Sequence, residues 1–284
     1  MEKILVPTDF SDNATNAIKY AIHFAQATNK ALVFFHVTHA DIPTSKAHDV
    51  YLKKVADKIE KSSHTLKEYV SKIYKSLHLQ LNERRVSFDV KFSHNAKDEI
   101  VAASETHKVS MIIMGTLGAS GLKKIFVGSN TAAVLKNVSC PVLAVPAKVK
   151  YIEIEHIGYS SNLEDLNGDV KRLLPIVKTF KANLDIFNVY PVYPTKVDYT
   201  KLDIEKTLED LKSEFKYKNI TLRVIHRAKE NDLEGGMNVF IKNYKPNLLI
   251  MFSQSRNWFD RLINPSATEA IALNPKVPLL SFKA

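Results

Sequence analysis

A glycine-containing stretch over residues 114–131 carries the groups in this sequence that are best suited to holding a phosphate. Gly115 and Gly118 let a ligand approach the backbone closely, because glycine has no side chain. Gly128–Asn130 begin a predicted helix, whose free N–H groups and dipole attract an anion. The spacing therefore favours a loop that binds a phosphate group.

Three further polar side chains have the chemistry to complete such a site. The hydroxyls of Ser129 and Thr131 add hydrogen-bond donors, and Asp9, at the end of the first predicted strand, can accept from ribose hydroxyls or help to bind Mg²⁺. Taken singly, a glycine after a strand is typical of a turn, and a serine at a helix start is typical of an N-cap. Their combination at predicted strand ends favours a ligand site at one edge of a sheet.

Strands and helices alternate along the first half of the chain. Apolar runs predict strands at Lys3–Asp9, Ala31–Val37, Val86–Phe92, Ser110–Met114 and Pro141–Val145. Helical spacing and capping residues predict helices after Ser11, across Tyr51–Leu79, at Ala96–Thr106 and at Ser129–Asn137, with a loop at Gly115–Val127. This order predicts a parallel, helix-covered α/β sheet, with the glycine loop at the carboxyl ends of the strands.

The second half of the chain repeats the first. Residues 251–284 align without a gap with residues 114–147, a shift of 137 positions, and eight of the aligned residues are identical. The opening strands match as well, Ile4–Asp9 with His156–Ser161 and Phe35–Val37 with Phe187–Val189. With only two copies, duplication of a domain is favoured over a solenoid. The sequence therefore predicts two domains, residues 1–147 and 151–284.

Composition limits the class of protein. The 284 residues are 45% hydrophobic and 25% charged, which is ordinary for a globular chain of two domains. No apolar run reaches the roughly 18–20 residues of a membrane span, and residues 1–7 lack the features of a secretion signal. The net charge of +10 is spread over both halves without a basic run, which argues against nucleic acid as a partner. With Cys140 as its single cysteine, the chain is expected in a reducing cytoplasm.

No constellation typical of a catalytic site is present, and neither GxxxxGK[ST] nor GxGxxG occurs. His36 and His39 are candidate metal ligands, but His36 is expected to be buried or hydrogen-bonded, and two histidines alone make a poor metal site. Cys140 is interpreted as a small core residue rather than a nucleophile. The lysine-rich stretch Lys53–Lys75 is interpreted as a solvated helix face.

Together, these motifs resemble those of the universal stress protein family. Gly115-x2-Gly118-x9-Gly128-Ser129 is similar to the family's nucleotide-binding signature. Three other segments resemble the family's first, second and closing strands, namely Ile4–Ser11, Phe35–Val37 and Cys140–Pro146. The resemblance covers essentially all of residues 1–146 and, more weakly, the remainder of the chain.

The resemblance implies a fold and a ligand site. The fold is two tandem five-stranded parallel-sheet sandwiches with helices on both faces, Rossmann-like and similar to adenine nucleotide alpha hydrolases, related by a pseudo-twofold axis as in a fused dimer. In the ATP-binding branch of the family, the loop after the first strand contacts adenine and ribose, the second strand contributes backbone contacts to adenine, and the glycine loop and helix start hold ribose and phosphates. The corresponding residues are Pro7, Thr8, Asp9, Val37, Met114, Gly115, Gly118, Gly128, Ser129, Asn130 and Thr131.

The function that the resemblance implies is an ATP-binding regulatory or stress-response module in the cytoplasm, with no dedicated metal site beyond Mg²⁺ carried with ATP near Asp9. Its further partner is an unidentified protein, with no membrane or nucleic acid, and a homodimer beyond the intrachain pseudo-dimer stays open. Two alternatives remain: a slow ATPase or autophosphorylating enzyme, and a structural scaffold that binds no nucleotide.

The two domains are not expected to be equivalent. In the gapless alignment, three glycines of the signature are replaced by Phe252, Ser255 and Pro265, whereas Ser266 and Thr268 are retained. The matched opening strands align Asp9 with Ser161, which removes the carboxylate. The sequence therefore predicts ATP in the first domain only. Trp258 is interpreted as a plug of the vacated pocket rather than a partner anchor, and Arg256 and Arg261 as surface charges rather than an anion site.

Overall fold

The chain divides into two compact units, Met1–Tyr151 and Ile152–Ala284. Within them, the computed structural model describes residues 1–41, 48–116, 129–190, 203–227, 233–253 and 277–283. No helix in these ranges is both long and apolar enough to cross a membrane.

The first unit alternates strictly between strand and helix. Its elements are β1 (Lys3–Pro7), α1 (Asp12–Thr28), β2 (Ala31–Thr38), α2 (His48–Ser76), β3 (Val86–Phe92), α3 (Ala96–Thr106), β4 (Met111–Gly115), α4 (Ser129–Asn137) and β5 (Val142–Val145). The strands pair in parallel in the order β3-β2-β1-β4-β5. The predicted parallel sheet is confirmed, with two changes at the site: β1 ends at Pro7 rather than at Asp9, and Gly115 is the last residue of β4 and not the first of the loop.

Helices cover both faces of this sheet. From β1 to β3 the chain moves across the sheet in one direction, and from β3 through β4 to β5 it moves in the other. Because crossovers between parallel strands are right-handed, α1 and α2 lie on one face and α3 and α4 on the other. The helix contacts agree, since α1 packs on α2 and α3 packs on α4. Because helices cover both faces of the sheet, the consecutive residues Ile4, Leu5 and Val6 of β1 are all fully buried.

Helix α1, which follows the β1 loop, has a defined cap at each end. The Ser11 side chain caps the N-terminus by accepting from the N–H of Ala14 at 3.2 Å, and Asn29 ends the helix in the left-handed conformation with φ of 55°. Its inward face includes Ala17 and Ala21, whose small side chains let the helix lie close to the sheet.

The second unit repeats this organisation. Its described elements are β6 (His156–Ser160), α5 (Leu166–Phe180), β7 (Asn183–Tyr190), α6 (Ile204–Phe215), β8 (Ile220–His226), α7 (Leu233–Tyr244), β9 (Leu248–Ser253) and β10 (Leu279–Lys283). The strands are again parallel, in the order β10-β9-β6-β7-β8. Met251 pairs with Ser281 just as Met114 pairs with Ala144. The strand register thus confirms the gapless alignment of the two halves at these strands.

Candidate functional site

The predicted site lies where the strand connections of the first unit change direction. From β1 the chain moves to β2 on one side, whereas from β4 it moves to β5 on the other. The loops leaving the carboxyl ends of β1 and β4 therefore diverge, which creates the crevice where open parallel sheets usually bind ligands. Leu5 of β1 pairs with Ile112 of β4, so the predicted contact residues Pro7 and Met114 both lie two residues further toward this edge, on adjacent strands.

The loop between β1 and α1 is closed by its own hydrogen bonds. The N–H of Thr8 donates to the Phe35 carbonyl (2.8 Å), and the Thr8 hydroxyl accepts from the N–H of Phe10 (3.1 Å). Phe10 has a φ of 63°, in the left-handed region that a bulky side chain rarely adopts. This tight turn leaves Asp9 exposed at its tip.

Asp9 is held in place by the start of α1. Its Oδ1 atom accepts from the N–H of Ser11 (3.1 Å) and from the Ser11 hydroxyl (2.6 Å). The same hydroxyl oxygen caps α1, so the position of the carboxylate is coupled to the helix start. An exposed carboxylate accepts hydrogen bonds only, which suits a ligand with hydroxyl donors such as ribose.

Val37 directs backbone groups to the same edge. In β2, the Phe35 carbonyl faces β1, because it accepts from Thr8. Alternate residues of a strand turn their N–H and C=O groups to the same side, so those of Val37 also face the β1 side, beyond the last paired residue, Pro7. Thr38 faces the opposite way, where its carbonyl accepts from the N–H of Ser93 (2.9 Å). Val37 thus directs a donor and an acceptor toward the crevice.

Gly115 and Thr131 contact the protein itself. A Cβ atom at Gly115 would lie 2.2 Å from Asn13 Nδ2 and 3.2 Å from the Asn13 carbonyl oxygen, so the glycine is required for α1 to approach β4. The hydroxyl of Thr131, which is buried, donates to the Gly115 carbonyl at 2.8 Å. This bond ties the first turn of α4 to the carboxyl end of β4. Both residues therefore shape the site from within the protein.

The helix whose start is predicted to hold phosphate is α4, and the structure describes it from Ser129 onward. Helix α4 begins at Ser129, and Asn130 is exposed in its first turn. Gly118 and Gly128 lie outside the described residues, as does the side chain of Ser129. Their contacts with phosphate stay a prediction from the sequence.

His36 contacts the loop between β1 and α1, which its residue type alone does not indicate. Its Nδ1 atom lies 2.8 Å from the Thr8 carbonyl oxygen, and its ring centroid lies 4.4 Å from that of Phe10. Phe10 meets Tyr69 of α2 edge-on at 5.0 Å, and the Tyr69 hydroxyl is hydrogen-bonded to Thr15 of α1. Burial lowers the pKa of His36, so the ring is neutral at neutral pH. The hydrogen bond expected for His36 is confirmed. No feature of the sequence indicates that Phe10 and Tyr69 pack beside it.

The second unit builds the same loop after its first strand. The N–H of Ser161 donates to the Phe187 carbonyl (2.9 Å), and the Ser161 hydroxyl accepts from the N–H of Leu163 (3.0 Å). Leu163 has a φ of 65°. Asn162, at the tip, accepts through Oδ1 from the N–H of Glu164 (3.2 Å).

These bonds correct the alignment of the opening strands. Ser161 makes the contacts of Thr8, so the counterpart of Asp9 is Asn162 and not Ser161. The alignment proposed from the sequence is wrong by one residue, because the turn geometry rather than the apolar pattern sets the register. The consequence drawn from it stands, since an amide replaces the carboxylate at the tip.

Phe252 stands at the position of Gly115, and its ring is buried. It stacks on Phe282 at 5.1 Å between centroids and meets Tyr159 edge-on at 5.6 Å. The guanidinium of Arg172 covers the ring at 4.6 Å. An aromatic cluster therefore occupies the strand end that is glycine in the first unit. The other compared positions of this unit lie outside the described residues: Ser255, Arg256, Trp258, Arg261, Pro265, Ser266 and Thr268.

The sequence offered two other candidate sites, a pair of histidines as metal ligands and the Cys140 thiol as a nucleophile. Among the described residues, no group of three or more His, Cys, Asp or Glu side chains is placed to hold a metal. The ring centroid of His39 lies 5.6 Å from that of His94. Burial raises the pKa of the Cys140 thiol to about 11, so it is protonated and weakly nucleophilic at neutral pH.

Comparison with known proteins identifies a family. The model of the universal stress protein family matches residues 1–146. Universal stress protein MJ0577 of Methanocaldococcus jannaschii is 32% identical over 162 residues, covering 52% of this chain and 96% of that protein. Universal stress protein MJ0531 of the same organism is 27% identical over 148 residues, covering 51% of this chain and 81% of that protein.

A solved structure extends the likeness to both halves. The crystal structure of a universal stress protein from Archaeoglobus fulgidus covers 99% of this chain and 98% of its own, with a TM-score of 0.69 at 19% identity. At this identity the match shows the fold alone. The family match over residues 1–146, together with the parallel α/β architecture, establishes that this chain belongs to the universal stress protein family.

Proposed function

We propose that the first unit binds an adenine nucleotide, ATP, and that the protein acts as a nucleotide-responsive module of the cytoplasmic stress response. One observation carries the proposal: the Asp9 carboxylate, the Val37 backbone and the start of α4 are brought to one sheet edge. These are the groups that a ribose, a base and a phosphate chain require.

Each part of the nucleotide has a matching group. The N–H and C=O of Val37 suit the donor–acceptor edge of adenine, and the buried Pro7 and Met114 supply apolar surface beside it. Asp9 accepts from the ribose hydroxyls. The positive end of α4 then attracts the phosphates, with Gly118, Gly128, Ser129 and Asn130 as their expected contacts. A Mg²⁺ ion carried with the triphosphate would find a carboxylate in Asp9.

The test compares Asp9→Asn with Asp12→Asn, which removes the same charge from the first turn of α1. Equilibrium dialysis with labelled ATP should show binding that is about tenfold or more weaker in Asp9→Asn, because a hydrogen bond to a charged group is lost. Asp12→Asn should bind like the wild type, and thermal unfolding should confirm that both variants fold. Wild-type protein that binds no ATP, or equal affinity in the two variants, would contradict the proposal.

The enzyme and scaffold alternatives have separate tests. A turnover assay on the wild type, Asp9→Asn and Gly118→Ala addresses hydrolysis, and steady activity well above background, lost in both variants, would favour an enzyme. Acid release of bound nucleotide from the purified protein addresses the scaffold, because a protein that never binds nucleotide releases none.

A further inference from the structure

We infer that His36 is a positioning residue, which fixes the loop that carries Asp9 and leaves the Val37 backbone directed at the ligand. The identity of that ligand rests on the proposed function. The positioning itself rests on the hydrogen bonds of one carbonyl group and on the packing of one ring.

The first observation is the partner of the Thr8 carbonyl. In a regular parallel ladder, Thr8, which donates to Phe35, would offer its carbonyl to the N–H of Val37, two residues further along β2. The hydrogen bond that the structure shows at this carbonyl comes from His36 Nδ1, at 2.8 Å. A side chain therefore takes the place of the next ladder bond, and the N–H of Val37 is directed toward the crevice.

The second observation is the packing of the ring. The Thr8 carbonyl can only accept, so the neutral ring carries its proton on Nδ1. One side of Phe10 lies against this ring at 4.4 Å, and Tyr69 meets Phe10 at 5.0 Å. These contacts support a residue whose φ of 63° is otherwise unfavourable. All of these contacts come from the protein itself, so they reduce the cost of ordering the loop when a ligand binds.

The second unit provides an internal comparison. Asn188 occupies the position of His36, between Phe187 and Val189, and it is buried. Its Nδ2 atom donates to the Ser161 carbonyl at 2.8 Å, the counterpart of the bond from His36 to Thr8. Two different side chains make the same bond, so the common requirement is an N–H donor at this reach. His36→Asn is therefore the conservative variant, and His36→Leu removes the donor while keeping an apolar side chain.

The experiment measures ATP affinity and amide hydrogen exchange in the full-length wild type, His36→Asn and His36→Leu. His36→Leu should bind ATP about three- to tenfold more weakly, the range expected for one lost hydrogen bond, and His36→Asn should retain most of the affinity. The N–H groups of Phe10 and Ser11, which close the loop, should exchange faster in His36→Leu than in the other two proteins. Nitrogen NMR of the wild type should show the Nδ1–H tautomer.

The outcomes separate this inference from the proposed function. If the wild type binds ATP and His36→Leu binds it equally well, or if His36→Asn loses as much as His36→Leu, the inference is overturned. If the wild type binds no ATP, the proposed function fails, and the exchange data still decide on the loop. Faster exchange in His36→Leu alone then supports the positioning role, and equal exchange in all three proteins, or an Nε2–H tautomer, overturns it.

Discussion

A side chain at Gly115 would have to displace Asn13. A Cβ atom there would lie 2.2 Å from Asn13 Nδ2, and Asn13 is itself buried in the first turn of α1. We therefore expect Gly115→Ala to lower the free energy of unfolding by about 1–3 kcal/mol, the usual cost of overpacking a filled site. Urea unfolding measures the loss.

The contact with Asn13 supplies the control for that prediction. If the clash is local, the double variant Gly115→Ala/Asn13→Ala should lose less stability than the sum of the two single variants, because both changes act on one contact. Additive losses would place the cost of the alanine elsewhere.

Cys140 allows a prediction about pH. Only the thiolate reacts with iodoacetamide, and burial disfavours this charged form, which raises the pKa of the thiol to about 11. Alkylation of the folded protein at pH 8 should be much slower than in urea, and its rate should rise as the pH approaches that pKa. Equal rates in the folded and unfolded protein at pH 8 would show that Cys140 is an ordinary exposed thiol.

Among the elements, those with strong patterns could be predicted from the sequence. The helices expected at Ala96–Thr106 and Ser129–Asn137 coincide with α3 and α4, because apolar spacing and flanking turn residues define both. The predicted end of β4 is one residue short, since Gly115 continues the ladder opposite Val145, which no residue type indicates. Strand ends depend on pairing with neighbours, and a single sequence does not contain that information.

The candidate site, too, could be predicted from the sequence only in part. Asp9 and the helix start of α4 could be expected from residue types at strand ends. The contacts of His36 with Phe10, and of Phe10 with Tyr69, could not, because they depend on how α2 packs beside the β1 loop. The predicted counterpart of Asp9 in the second half is wrong by one residue for a related reason, since Ser161 and Asn162 are distinguished only by their hydrogen bonds.

The start of α1 gives a prediction at the scale of an element. Ser11 caps the helix and also donates to Asp9 Oδ1 at 2.6 Å. Ser11→Ala should lower the free energy of unfolding by about 1 kcal/mol through the lost cap, and it should also weaken ATP binding because the carboxylate loses a support. Ser11→Thr keeps the hydroxyl and serves as the control. A loss of stability without any change in ATP affinity would show that Asp9 does not depend on the cap.

At the scale of the whole molecule, the two units share a scaffold but differ in the groups placed on it. Both close the first loop with equivalent hydrogen bonds and with a residue in the left-handed conformation at the same position, Phe10 in the first unit and Leu163 in the second. The tip of the loop is a carboxylate in one unit and the amide of Asn162 in the other. The strand end beside it is Gly115 in one and the buried ring of Phe252 in the other. The loop geometry is therefore retained independently of the residues proposed to bind nucleotide.

This difference predicts one ATP per chain. In the second unit, Phe252 is packed between Phe282, Tyr159 and Arg172, so the strand end is filled by protein, and Asn162 offers no negative charge to ribose or Mg²⁺. Equilibrium dialysis of the full chain at saturating ATP should give one bound nucleotide. Asp9→Asn should weaken this binding, whereas Asn162→Ala, the matched change in the second unit, should leave both affinity and stoichiometry unchanged. Two bound nucleotides per chain, or binding that Asn162→Ala reduces, would show that the second unit has kept a working site.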